Sequence, residues 1–143
     1  MRILLVEDNP DHAFITRRAI QTAHAEGLAG FELDHVEDGE SALDYLFRRG
    51  QFGAAPRPDL ILLDLQLPAK SGFDVLREVK TDPSLRRIPV VVLTTSEAQK
   101  DILRSYDLYA NEYVAKPVSA TEYIEKVRTI SMYWSKISHL PRE

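Results

Sequence analysis

In Asp59-Leu60-Ile61-Leu62-Leu63-Asp64-Leu65-Gln66-Leu67-Pro68, four consecutive aliphatic residues stand between two carboxylates and run on into a proline. Four apolar side chains in a row leave no polar face, so a strand made of them is covered on both sides, as in a parallel sheet flanked by helices. Upstream, Ile3-Leu4-Leu5-Val6 has the same character, and downstream Val90-Val91-Val92-Leu93 repeats it. Phe31 to Val36 and Tyr113-Val114-Ala115 supply two further short runs. Stretches of helical period lie between them. Asn9-Pro10 offers an N-cap followed by proline at the first helical position. Ala13, Thr16, Ala19, Ile20 and Ala23 then fall on one side at ~100° per residue, with Phe14, Arg17, Arg18 and Gln21 opposite. Gly27 to Gly30 break this helix, Asp38-Gly39 open a second through about Phe47, and Ser71-Gly72 a third to about Lys80. Ser96-Glu97-Ala98-Gln99 and Ser119-Ala120-Thr121-Glu122 read as capping boxes that start the fourth and fifth. Residues 50–58, with two prolines, form a loop. Strict alternation of five strands with five helices predicts an α/β domain built on a doubly wound parallel sheet.

Composition agrees with that architecture and removes several functions. The chain has 143 residues, 44% hydrophobic and 28% charged, with 6 Gly and 8 Pro, which suits one domain with its own core. A net charge of −4, with no block of Lys and Arg, speaks against a grip on nucleic acid phosphates. The absence of cysteine excludes a disulfide framework, a thiol nucleophile and a zinc-thiolate site, and fits a reducing cytoplasm. The aliphatic runs stop far short of a membrane span, and the N-terminal Ile3-Leu4-Leu5-Val6 turns acidic at Glu7-Asp8, where a signal peptide stays apolar. A soluble cytoplasmic protein is expected, with neither nucleic acid nor membrane as a partner.

Ligands of an open parallel sheet bind at the carboxyl ends of the strands. The first strand ends in Glu7-Asp8, the third in Asp64, the fourth in Thr94-Thr95 and the fifth in Lys116-Pro117. Carboxylates gathered at one edge raise one another's pKa unless a cation sits among them. Acidic oxygens without His or Cys favour Mg²⁺ or Mn²⁺. An Asp beside such a cation and a lysine is equipped to act as a nucleophile toward phosphorus, with Lys116 and the cation neutralising the equatorial oxygens and Thr94 donating a hydrogen bond.

These residues carry a resemblance. Val6-Glu7-Asp8-Asn9-Pro10, residues 59–68, Val91 to Ser96 and Tyr113 to Pro117 look like the receiver domain of two-component response regulators, over about residues 1–130. The resemblance implies a flavodoxin-like sheet of order 2-1-3-4-5. It also implies a phosphoacceptor that takes a phosphoryl group from a sensor histidine kinase in a Mg²⁺-dependent reaction, catalysing its own phosphorylation and dephosphorylation without a turnover substrate. Carried over residue by residue, Asp64 is the phosphoacceptor, and Thr94 and Lys116 bind the phosphoryl group. Glu7, Asp8 and Asp64, with the Gln66 backbone carbonyl, hold the metal, and Tyr113 is the switch aromatic. Thr95 stays small enough to leave the phosphate accessible. More narrowly, residues 55–68, 86–96 and 101–108, with the aromatic tail, are similar to single-domain regulators that serve phytochrome histidine kinases. Two positions depart from the family pattern: His12, expected as a solvated helix residue, and Tyr109, expected in packing where many receivers have glycine.

An aspartyl phosphohydrolase of a related fold is the alternative. It needs a second Asp two residues after the nucleophile, where this chain has Gln66. A transcription factor is disfavoured because the residues after 130 are too few for a DNA-binding domain, so the expectation is a receiver at 1–130 and a C-terminal helix extension at 131–143 with no output domain. A scaffold that has lost its chemistry is disfavoured because every acceptor-site residue is present. Two surface roles complete the reading. Phe14, apolar on a polar face of the first helix, is expected to dock the kinase. Met132, Tyr133, Trp134 and Ile137 exceed the core stripe Ala120, Tyr123, Ile124, Val127 and Ile130, and predict a homodimer through Tyr133 and Trp134.

Overall fold

Strands β1 (Arg2–Val6), β2 (Glu32–Val36), β3 (Leu60–Leu63), β4 (Val90–Thr94) and β5 (Glu112–Ala115) pair in parallel in the order β2-β1-β3-β4-β5 in a computed structural model, which describes residues 1–25 and 30–141 apart from the side chain of Ile137. This is the expected flavodoxin-like order. Helices α1 (Pro10–Ala25), α2 (Gly39–Leu46), α3 (Gly72–Thr81), α4 (Gln99–Asp107) and α5 (Ala120–Met132) connect the strands. A 3₁₀ turn at Gly50–Phe52 and a π-helical turn at Tyr133–Ile137 are additions that the periodicity does not reveal. The expected helix break at residues 27–29 lies outside the described residues. No helix among the described residues is long and apolar enough to cross a membrane.

The unbroken aliphatic runs follow from strand geometry, since successive side chains point to opposite faces and both faces are covered. Leu4, Val6, Ile61, Leu63, Val90 and Val92 pack on the side of α2 and α3, while Ile3, Leu5, Leu60, Leu62, Val91 and Leu93 pack on the side of α1 and α5. Each such side chain contributes about 1.5–3 kcal/mol by leaving water. The flanking strands β2 and β5 are only partly covered. The five residues of the α1 stripe are all buried and Phe14 is exposed, as the period requires.

Helix starts agree with the sequence in four cases and depart from it in one: Asn9 Oδ1 accepts from the Asp11 and His12 N–H at the start of α1, and Asp38 caps α2 by accepting from the Ser41 N–H. Ser71 caps α3 in a reciprocal box with Asp74, and Ser119 caps α5 by accepting from the Glu122 N–H. Ser96 does not cap α4. Its carbonyl accepts from the Tyr113 hydroxyl at 2.9 Å, and the helix starts only at Gln99, after an extended Ala98. The Ser96 hydroxyl instead donates to Asp101 Oδ2 at 2.6 Å and accepts from the Ala98 N–H.

Tyr109 is not a packing residue. It follows α4 with φ +69° and its side chain is 75% exposed. The position closes the helix: its N–H donates to the Tyr106 carbonyl, and the Ala110 N–H reaches Ser105. A left-handed backbone carries a steric cost for any residue with a Cβ. Tyr109→Gly is therefore expected to raise the unfolding free energy by about 1 kcal/mol, measured by urea denaturation.

The C-terminal helix also differs from expectation. Ala120, in the first turn, is exposed because α5 meets the sheet only from Tyr123 onward, where Tyr123, Val127, Ile130 and Ser131 are buried. The helix continues past residue 130 without a break into the π-helical turn. Trp134 folds back on its own domain, packing against the buried cluster that contains Val127 and Ile130 and donating from Nε1 to Glu112 Oε1 at 3.2 Å. Tyr133 meets the Trp134 ring edge-on at 5.3 Å and remains exposed. The side chain of Ile137, expected beside them, lies outside the described residues.

Candidate functional site

Register alone brings the polar strand ends together. Val6 pairs with Leu63, so the next residues, Glu7 and Asp64, emerge side by side, and Thr94 pairs with Ala115, which delivers Lys116 to the same edge. Four backbone bonds hold these ends: Glu7 N–H to Val36 O at 3.0 Å, Asp64 N–H to Val6 O at 3.1 Å, Lys116 N–H to Thr94 O at 2.7 Å and Gly72 N–H to Leu65 O at 3.0 Å. Glu7, Asp64, Thr94 and Lys116 are all buried, and Asp8 is exposed.

The buried charges are paired. The Lys116 ammonium donates to Glu7 Oε1 and, at 2.8 Å, to Asp64 Oδ2. Asp64 Oδ1 accepts from the Thr94 hydroxyl and from the Gln66 N–H, each at 3.0 Å. Burial opposes charge on both carboxyls, with opposite outcomes. Burial, with the Asp64 charge adding to it, pushes Glu7 up to about 7 against the pull of Lys116. At Asp64 the same burial is outweighed by Lys116 and the Gln66 N–H, which hold the carboxyl below its ordinary value. Lys116 loses by burial and gains more from its two carboxylates, so it stays protonated above the ordinary lysine range. One ammonium is shared by two buried carboxyls, and Asp64 keeps the charge.

Glu7, Asp8 and Asp64 each offer a ligand oxygen, and these atoms lie within 4.8 Å of one another. An all-oxygen set with an excess of negative charge fits a hard divalent cation. Bound there, such a cation neutralises charge that Lys116 alone leaves uncompensated. Gln66 continues the same loop, and its side-chain oxygen accepts from the Thr95 hydroxyl at 3.3 Å. An amide there cannot relay protons as a second Asp would, which argues against hydrolase chemistry.

The other expected residues lie outside this cluster. Tyr113 is half-buried, its hydroxyl tied to Ser96 O, and burial pushes that hydroxyl up against the opposing effect of the hydrogen bond. Phe14 is exposed on α1, and Tyr133 and Trp134 sit at the far end of α5.

Three residues at the site were not legible in the sequence. His12 is no solvated helix residue: its Nδ1 is 2.9 Å from Lys116 Nζ, and burial and the adjacent ammonium hold its pKa below the ordinary histidine value. His35 Nε2 lies 2.7 Å from the Glu7 carbonyl, bracing the end of β1 from β2. Gly72 leaves no room for a side chain, since a Cβ there would sit 2.2 Å from the Asp64 carbonyl oxygen. Only spatial proximity reveals these roles, because each acts across a separation of at least eight residues in sequence.

Comparison with known proteins places this geometry. The response regulator receiver domain family matches residues 3–128. Response regulator Rcp1 of Synechocystis sp. is 40% identical over 139 residues, 97% of this chain and 92% of that protein. The probable methanogenesis regulatory protein FilR2 of Methanothrix harundinacea is 42% identical over 132 residues, 92% of this chain and 82% of that protein. Among solved structures, the Mn(2+)-bound form of Rcp1 superposes with a TM-score of 0.91 at 39% identity, covering 99% of both chains. The phosphorylated cyanobacterial phytochrome response regulator RcpA gives 0.89 at 45% identity, covering 99% of this chain and 98% of that one.

Proposed function

Because this chain belongs to the response regulator receiver domain family, we propose that it takes a phosphoryl group from the phosphohistidine of a sensor kinase onto Asp64, and that this kinase is a phytochrome. The observation that carries the reading is the buried Asp64 carboxylate, kept ionised by Lys116 at 2.8 Å and oriented by Thr94 at 3.0 Å. The bond from an Asp64 oxygen to phosphorus forms as the P–N bond of the donor breaks. Thr94 and Lys116 are donors already directed at that carboxylate, so charge arriving on the phosphoryl oxygens meets hydrogen-bonding groups that need little reorganisation. Glu7, Asp8 and Asp64 with the Gln66 carbonyl hold Mg²⁺, for which Mn²⁺ substitutes; the cation supplies charge neutralisation on the transferring group. The relatives support these assignments in kind, Rcp1 being described as Mn(2+)-bound and RcpA as phosphorylated and a phytochrome response regulator.

The output is a change of the receiver's own surface in the cytoplasm. Thr94, drawn to the phosphoryl group, and Tyr113, released from Ser96, are the two elements whose packing shifts. Phe14 docks the kinase. Incubation with an autophosphorylated phytochrome kinase and Mg²⁺ is expected to label the protein within seconds, whereas Phe14→Ala takes label normally from acetyl phosphate and about tenfold more slowly from the kinase, as for one lost interface anchor. Equal slowing with both donors would remove Phe14 from docking.

The protein acts as a homodimer through the exposed side of the α5 C-terminus, with Tyr133 as the free aromatic and Trp134 as its support. Truncation after Ile130 is expected to give a folded monomer in sedimentation, against a dimer for the full chain. A full chain that stays monomeric at high concentration, with or without phosphate, would exclude this assembly.

A further inference from the structure

A lysine ammonium has three N–H donors and no acceptor. All three of those on Lys116 are engaged: by Glu7 Oε1, by Asp64 Oδ2 at 2.8 Å and by His12 Nδ1 at 2.9 Å. Asp64 supplies the counter-charge a buried lysine requires, and Glu7 a second carboxyl oxygen. The third partner is an uncharged acceptor brought by α1. Because the ammonium only donates, the ring nitrogen facing it accepts, and the imidazole proton is on Nε2. The ring has a fixed seat. The His12 N–H donates to Asn9 Oδ1 at 3.2 Å, and its carbonyl accepts from the buried Thr16 hydroxyl at 3.0 Å. Its ring lies 5.9 Å from that of the buried Tyr123, tilted by 43°.

We propose that His12 is a positioning residue for phosphoryl transfer, holding the Lys116 ammonium over Asp64 through the third N–H. The inference rests on the phosphoacceptor reading above and adds a residue to it. Both carboxylate partners of Lys116 change roles in that reaction: Asp64 becomes the acyl phosphate, and Glu7 is one of the residues that would hold the divalent cation. His12 belongs to neither the acceptor nor the acidic cluster, so it is the partner among the described residues that persists throughout. A flexible four-carbon stem without such an anchor wanders among the remaining oxygens.

Two substitutions separate this role from packing, because they remove opposite halves of the side chain. His12→Phe keeps a ring on Tyr123 and removes the acceptor. His12→Asn removes the ring and places an Oδ1 one bond from Cγ, as Nδ1 is in histidine. With acetyl phosphate and Mg²⁺, His12→Phe is expected to label about tenfold more slowly than wild type and His12→Asn within about threefold, the difference expected of one charge-assisted hydrogen bond. In metal-free protein, the ¹⁵N resonance of the Lys116 ammonium should persist in wild type and His12→Asn and broaden by solvent exchange in His12→Phe. The reverse order of the two variants, or His12→Phe labelling like wild type, would overturn the proposal. Wild-type protein that takes no label would overturn the phosphoacceptor reading and this proposal with it, an outcome distinct from equal labelling of wild type and variant.

Discussion

Asp64→Asn is expected to reduce phosphate uptake to background with a kinase donor and with acetyl phosphate alike. The amide keeps the shape of the carboxylate and can still accept from Thr94 and the Gln66 N–H, but it is no nucleophile toward phosphorus. The fold should survive. Removing the Asp64 charge relieves Glu7 of a repulsion that helps push it up to about 7, and Lys116 keeps Glu7 as its counter-charge. Circular dichroism unchanged from wild type, with labelling lost, is the expected pair of results. Excess EDTA should abolish labelling of the wild-type protein as completely, because two buried carboxyls and Asp8 face the incoming phosphoryl charge with Lys116 as the only cation at the site among the described residues. Acid-stable label remaining on Asp64→Asn, or transfer undiminished in EDTA, would refute the assignment of the acceptor and the cation.

Gly72→Ala is expected to cost more stability than an alanine at any other glycine among the described residues. The new Cβ would fall 2.2 Å from the Asp64 carbonyl oxygen and 2.6 Å from the Leu65 Cα, both backbone atoms with no rotamer through which to escape. Either α3 lifts from the end of β3 or the acceptor loop moves, and overpacking of that kind costs about 3 kcal/mol. A loss that large is a substantial fraction of the margin of an ordinary domain. Chemical denaturation measures it directly. A second readout follows from the clash being with the acceptor residue itself: at temperatures where the variant remains folded, labelling by acetyl phosphate should fall as well. Stability and labelling both within error of wild type would show that α3 does not hold the acceptor loop.

Much of this was written in the order of the residues. Unbroken aliphatic runs call for strands covered on both faces, and their alternation with helical stripes points to a parallel α/β sheet, because each intervening helix can cover a face of the strands it connects. Parallel strands then place every strand-end residue at one edge, so Glu7, Asp8, Asp64, Thr94 and Lys116 could be named as one site without coordinates. Side-chain partners reached from another element could not. His12 has a helical position that reads as solvent-facing, and only the approach of α1 to the end of β5 sets its ring against Lys116. Ser96 carries the local signature of a helix cap, yet its hydroxyl donates to Asp101, its carbonyl accepts from Tyr113 on the neighbouring β5, and α4 starts only at Gln99. Trp134 reads as surplus apolar surface until Glu112 on β5 offers its indole an acceptor. Periodicity and turn chemistry act within a few residues, and fix which elements form and which edge is polar. Hydrogen bonds and steric exclusion between distant segments depend on distances that only the packed chain defines, and they decided how the acceptor is held.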